Sequence, residues 1–186
     1  MKHTRILLIV AILSFAAFSC KQEAKQTQDK EQKEQKEEKQ APGDGRMTVD
    51  GYFKAAFPER PDKTEETIEA NGTQVKKFTY TYSPEPLENY TVTYSEFPEG
   101  QFKGKDPEKV LQATRDGILK ELGGPIAEEK TLEGNYPGLM FKSKSGNMHY
   151  VYHLYLYKNR LVQAVISKNK EYPEDTSFLG SIEILD

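Results

Sequence analysis

The chain has 186 residues, 36% of them hydrophobic and 30% charged, with a formal net charge of −3 and a single cysteine. That length suits one ordinary domain with extensions. A mildly acidic chain without a basic stripe is a poor candidate for nucleic-acid binding, and one cysteine excludes an intramolecular disulfide.

The chain opens MKHTRILLIVAILSFAAFSC. Lys2 and Arg5 form a short positive region. The run from Ile6 to Phe18 is apolar apart from Ser14, and it falls short of the roughly 20 residues a spanning helix needs. The small residues Ala16, Ala17 and Ser19 lead up to Cys20. A secretory signal ending at a cysteine behind small residues resembles the lipobox of bacterial lipoproteins, here AFSC. Ala17 and Phe18 stand where that pattern usually has Leu and then Ala or Ser. The resemblance implies cleavage between Ser19 and Cys20, a diacylglyceryl group on the Cys20 sulfur, and a freed Cys20 amine open to acylation. Two or three chains, at about 0.8 kcal/mol per buried methylene, anchor stably where one is marginal. Residues 1–19 are therefore expected to be a signal peptide.

Residues 20–46 are expected to be the lipidated cysteine and a charged tether. Lys21 to Arg46 contain no Val, Ile, Leu, Phe, Tyr or Trp, so they cannot bury an apolar face. As coil they would reach roughly 28 Å, at about 5.5 Å times the square root of length. Ala41-Pro42-Gly43-Asp44-Gly45 interrupts any helix and marks a boundary.

Residues 47–186 are expected to be one domain. Phe53 and Phe57 lie in a short apolar segment ended by Pro58 and Pro61. In TIEANGTQV, Asn71-Gly72 suits a two-residue turn that pairs Ala70 with Thr73 and Ile68 with Val75. Phe78, Tyr80 and Tyr82 then alternate out of phase with Val75, which predicts a bulge or bend near Lys76-Lys77. YTVTYSEF reads as a half-buried strand with Tyr90, Val92 and Tyr94 on one face and threonines on the other. DPEKVLQATRDGILKELGG predicts a helix. Asp106 caps it, Pro107 takes the first position, and Gly123-Gly124-Pro125 stop it. Its stripe is Val110, Leu111, Thr114, Ile118 and Leu122. TLEGNYPGLMFKSKSG reads as strand, turn and strand. HYVYHLYLYKNRLVQAVIS reads as a long hairpin turning at Lys158-Asn159-Arg160, and its first strand is apolar on both faces, as a covered central strand is. A short helix carrying Phe178 and Leu179 and a closing strand end the chain.

None of the usual catalytic constellations can be assembled from these residues. His149 and His153 would share a strand face about 13 Å apart at roughly 3.3 Å per residue, too far to bind one metal. A zinc site without a domain cysteine is not expected. There is no nucleophile elbow and no phosphate-binding glycine loop. The reading is therefore no enzyme and no cofactor. The surplus is tyrosine. Tyr80, Tyr82, Tyr94, Tyr152 and Tyr155 are the candidate residues for a ligand or partner surface. The competing reading is bulky filler between sheet and helices.

The order YFKAAFPERP, YTVTYSEFPEG, DPEKVLQATRDG, LEGNYPGLMF, NRLVQAVIS and FLGSIEIL resembles the PsbP-like group of small α/β domains, which includes DcrB-type bacterial lipoproteins. The resemblance implies an α+β fold, a twisted and mostly antiparallel sheet packed with helices as an α/β/α sandwich. It also implies extrinsic, non-catalytic proteins that dock on larger assemblies. The expected function is a lipid-anchored binding or accessory module of an envelope protein complex, held in the bilayer through acylated Cys20. Lys21 after the cysteine is no inner-membrane retention signal, which points to the outer membrane. The alternative is a small-ligand-binding or sensing domain with a tyrosine-rich cleft.

Overall fold

The computed structural model describes residues 47–49, 51–70 and 72–185. In chain order the elements are β1 (Met47–Val49), β2 (Phe53–Ala55), β3 (Asp62–Ala70), β4 (Thr73–Glu85), β5 (Glu88–Glu96), α1 (Pro107–Leu122), β6 (Ile126–Leu132), β7 (Gly138–Ser145), β8 (Met148–Tyr157), β9 (Arg160–Asn169), α2 (Ser177–Gly180) and β10 (Glu183–Ile184). Seven strands form one antiparallel sheet in the order β3-β4-β5-β9-β8-β7-β6. The remaining three make a small sheet in the order β1-β2-β10, which joins the two ends of the described chain.

Side chains alternate across a strand, so the large sheet has two faces, and each carries its own core. On one face Tyr80, Val92, Tyr94, Val151, Val162, Ala164 and Ile166 pack with Phe53 and Ala55 of β2 and with Phe178 and Leu179 of α2. On the other face Leu139, Phe141, Tyr152, Leu154, Leu156 and Leu161 pack with Leu111 of α1. The fold is thus α+β and mostly antiparallel. The expectation of helices on both faces is met only in part. A four-turn helix covers one face. The other is covered mainly by the three-stranded sheet and the single turn of α2.

The helix follows its sequence signals. Asp106 Oδ1 accepts a hydrogen bond from the Glu108 N–H at 3.0 Å, and Pro107 opens the helix. Gly123 closes it at φ 70° with its N–H bonded to the Leu119 carbonyl. Leu111 is buried, and Val110, Ile118, Leu119 and Leu122 are half-buried around it.

The first hairpin also has its expected register, Ala70 opposite Thr73 and Ile68 opposite Val75. The bulge does not lie at Lys76-Lys77. β4 pairs with β3 without a break from Thr73 to Thr81, and its irregularity falls between Tyr82 and Glu85 instead. The change of phase has another cause. Val75 is buried on the face with Ile68 and the threonines, while Phe78, Tyr80 and Tyr82 point to the opposite face. Two cores, not a kink, produce the pattern. β5 is likewise not half-buried along its length. Val92 and Tyr94 are buried on one face, and Thr93 and Ser95 are buried on the other. β8 is covered on both faces as expected. The turn that follows it is Lys158-Asn159, and Arg160 already pairs with Tyr157.

Candidate functional site

The large sheet separates the five candidate tyrosines. Tyr80, Tyr82, Tyr94 and Tyr155 belong to the face under the small sheet, and Tyr152 lies on the helix face. Tyr94 is fully buried, stacked on Phe78 at 4.6 Å and set edge-on to Phe53 and Tyr52. Tyr80 meets Phe53 edge-on at 6.3 Å. Tyr152 stacks on Phe141 at 4.7 Å. Its hydroxyl is driven up by burial, then by Tyr150 and Glu121. Tyr82 and Tyr155 are half-buried. These rings act as core material with specific edge-to-face geometry, and they do not line one shared cleft.

His149 and His153 share a face, as the strand parity predicts. Burial, and then the Lys130 ammonium, push the His153 imidazole down to about 4. Its Nδ1 lies 3.2 Å from the Tyr155 hydroxyl. His149 is buried beneath Tyr172, ring centroids 4.7 Å apart, with no hydrogen-bond partner at Nδ1 among the described residues. Tyr90 is raised to about 12 by burial and by its hydrogen bond to Glu88, 3.0 Å away. A weakly basic imidazole and phenols that hold their protons are poorly matched to acid–base work near neutral pH. No group of three or more His, Cys, Asp or Glu among the described residues could hold a metal ion.

Two concavities are lined by other residues. One, of about 220 Å³, lies between α1 and the β6–β7 edge, bounded by Glu108, Leu111, Gln112, Glu129, Thr131 and Leu139. Arg115 pairs with both Glu129 and Asp116, tying the helix to β6. The other, of about 380 Å³, lies where the loop after β5 meets the β8–β9 turn, bounded by Glu99, Phe102, Lys103, Lys158 and Asn159. Asn159 holds that loop through its side-chain amide to the Phe97 carbonyl at 2.6 Å. Nearby, the Arg160 guanidinium covers the Tyr52 ring at 3.7 Å and bonds Glu96 at 3.1 Å. This link between the β1–β2 turn and β9 joins residues far apart in the chain, so sequence reading missed it. Ser19 and Cys20, the expected cleavage and lipidation residues, lie outside the described residues, as does the expected tether.

No family model matches the chain, and no curated protein matches it. Among solved structures the chain is similar to the solution structure of cyanobacterial PsbP (CyanoP) from Synechocystis sp. PCC 6803. That likeness has a TM-score of 0.50 at 12% identity and covers 75% of this chain and 91% of the other. At that identity it shows a PsbP-like fold and nothing about activity.

Proposed function

We propose that this protein is a bacterial lipoprotein whose PsbP-like domain acts as a non-catalytic binding or accessory module of an envelope assembly. One observation carries the reading: an apolar export signal stops at Cys20, the chain's single thiol, and a long segment without large apolar residues follows it. That arrangement suits a domain held clear of a bilayer. The outer membrane is the proposed location. The shifted histidine and tyrosines titrate away from neutrality, which suits a role without acid–base chemistry near pH 7.

Two comparisons test it. Cys20→Ala should accumulate as an unlipidated precursor; mature protein of normal mass in the membrane fraction would refute the anchor. Crosslinking in intact cells should capture a defined envelope protein with the full chain and lose it when residues 47–186 are removed and the anchor kept. Capture that survives the removal would refute the accessory role.

A further inference from the structure

The tip of the β4–β5 hairpin breaks two local rules at once and exposes a large apolar side chain. Glu85 pairs with Glu88, leaving Pro86-Leu87 as the two-residue connection. A proline followed by a residue at positive φ is the order of a type II turn, whose second central position belongs to Gly or Asn. Leu87 holds that position at φ 67°. The other two described non-glycine residues with positive φ are lysines, Lys158 and Lys170. A bulky apolar side chain there is disfavoured by its own backbone. Leu87 is also 57% exposed, the most exposed of the large hydrophobic residues described. Finally, two carboxylates face each other across the turn, a like-charge pair that weakens a hairpin.

The tip is nonetheless braced. Pro84 and Pro86 fix their own φ angles. Ser83 Oγ donates to Asn89 Oδ1 at 2.6 Å, Asn89 Nδ2 bonds Ser167 Oγ at 3.3 Å, and the Tyr90 hydroxyl donates to Glu88. A tip that is braced yet keeps a leucine at a disfavoured backbone position and a like-charge pair, both opposing stability, is what a binding element looks like, because local rules are broken where function requires it.

We infer that Leu87 is an apolar anchor with an acidic collar, which docks into an apolar socket rimmed by Lys or Arg on a partner protein. The inference rests on the accessory reading above and names the surface that would carry it. Charge selects the occupant. Glu88 also lies opposite Lys168 of β9, but Glu85 and Glu88 leave the tip net acidic, so it complements a basic rim and would be repelled by anionic headgroups, and a protein socket fits it better than a membrane does.

The test uses the full-length chain in intact cells, with amine-reactive crosslinking and mass spectrometry to identify what is captured. Wild type, Leu87→Asn and the pair Glu85→Gln with Glu88→Gln are compared. The expected result is one identified envelope protein, contacted at an apolar site flanked by basic residues and recovered at least fivefold less with each variant. Asn accepts the left-handed backbone, so Leu87→Asn should melt no lower than wild type, with a rise of roughly 2–4 °C. A fall in melting temperature would make Leu87 a structural residue and overturn the inference. If Leu87→Asn captures the partner as well as wild type does, the anchor fails and the accessory reading stands. If wild type captures nothing that depends on residues 47–186, both fail. Binding of a soluble chain starting at Lys21 to phosphatidylglycerol vesicles that is lost with Leu87→Asn would overturn the protein socket in favour of lipid.

Discussion

His153 shows how a single residue couples this fold to pH. Its imidazole sits against Tyr155 and Lys130 and is held down at about 4, against 6.5 for an ordinary histidine. Between those values the unfolded chain binds a proton that the native chain refuses. Stability from this site is therefore complete above about pH 6.5 and is lost as pH falls toward 4. The shift corresponds to a contribution on the order of 2 kcal/mol after allowing for partial exposure. Carboxylates titrate at the lower end of the same window, so the useful quantity is a difference. His153→Gln should flatten the stability–pH curve between pH 4 and 6.5 relative to wild type, measured by urea unfolding at several pH values. Parallel curves would show that the imidazole is solvated and contributes nothing of this kind.

At the scale of elements, the connection from α1 to β6 depends on two adjacent glycines with different jobs. Gly123 supplies the left-handed φ that ends the helix. Gly124 does not need an unusual φ. It needs to lack a side chain, because a Cβ there would lie 1.9 Å from the Lys144 carbonyl oxygen. The Ser143 hydroxyl also bonds the Pro125 carbonyl at 3.0 Å, and Ser145 bonds Leu122, so the connection is pressed onto β7. Backbone cannot yield as a side chain tip can, and Gly124→Ala should destabilise by about 3 kcal/mol or more. A loss below roughly 1 kcal/mol in denaturant unfolding would mean the strand gives way easily. The sequence marks both glycines as a helix stop, which is right for Gly123 and incomplete for Gly124. The difference defines what was legible. Caps, turns and the register of the first hairpin are local, and Asp106, Asn71-Gly72 and the alternation of β8 announce them. The close approach at Gly124, the Arg160–Tyr52 contact and the β1-β2-β10 sheet depend on partners distant in the chain. The phase change in β4 is legible, but it calls for a bulge only where a single face is buried, and here two are. For the candidate site the loss was greater. Tyrosine in a strand has the same sequence signature whether it fills a core or lines a cleft, and only the packing places Tyr94 and Tyr152 in separate cores.

At the scale of the whole molecule, both cores are closed from within the described residues. α1 covers one, and the small sheet with α2 covers the other. The strand that follows the proposed tether, β1, pairs Met47 with Ala55 and Val49 with Phe53. Nothing in either core calls for a contribution from Lys21 to Arg46, whose composition offers no apolar face to give one. On the proposed anchored reading the segment sets the distance from the membrane, and it should not set stability. Two soluble chains starting at Lys21 make the comparison, one intact and one lacking Gln22 to Gln40. Their thermal unfolding midpoints should agree within about 1 °C, since 1 kcal/mol of lost packing would shift a chain of this size by roughly 2–4 °C. A fall of several degrees on deletion would show that the segment packs on the domain. If the chain is lipid-anchored as proposed, the same deletion should shorten the reach of the domain and reduce capture of the proposed envelope partner while leaving the fold intact. That separates the two roles, because a segment that stabilised the domain would lose both together.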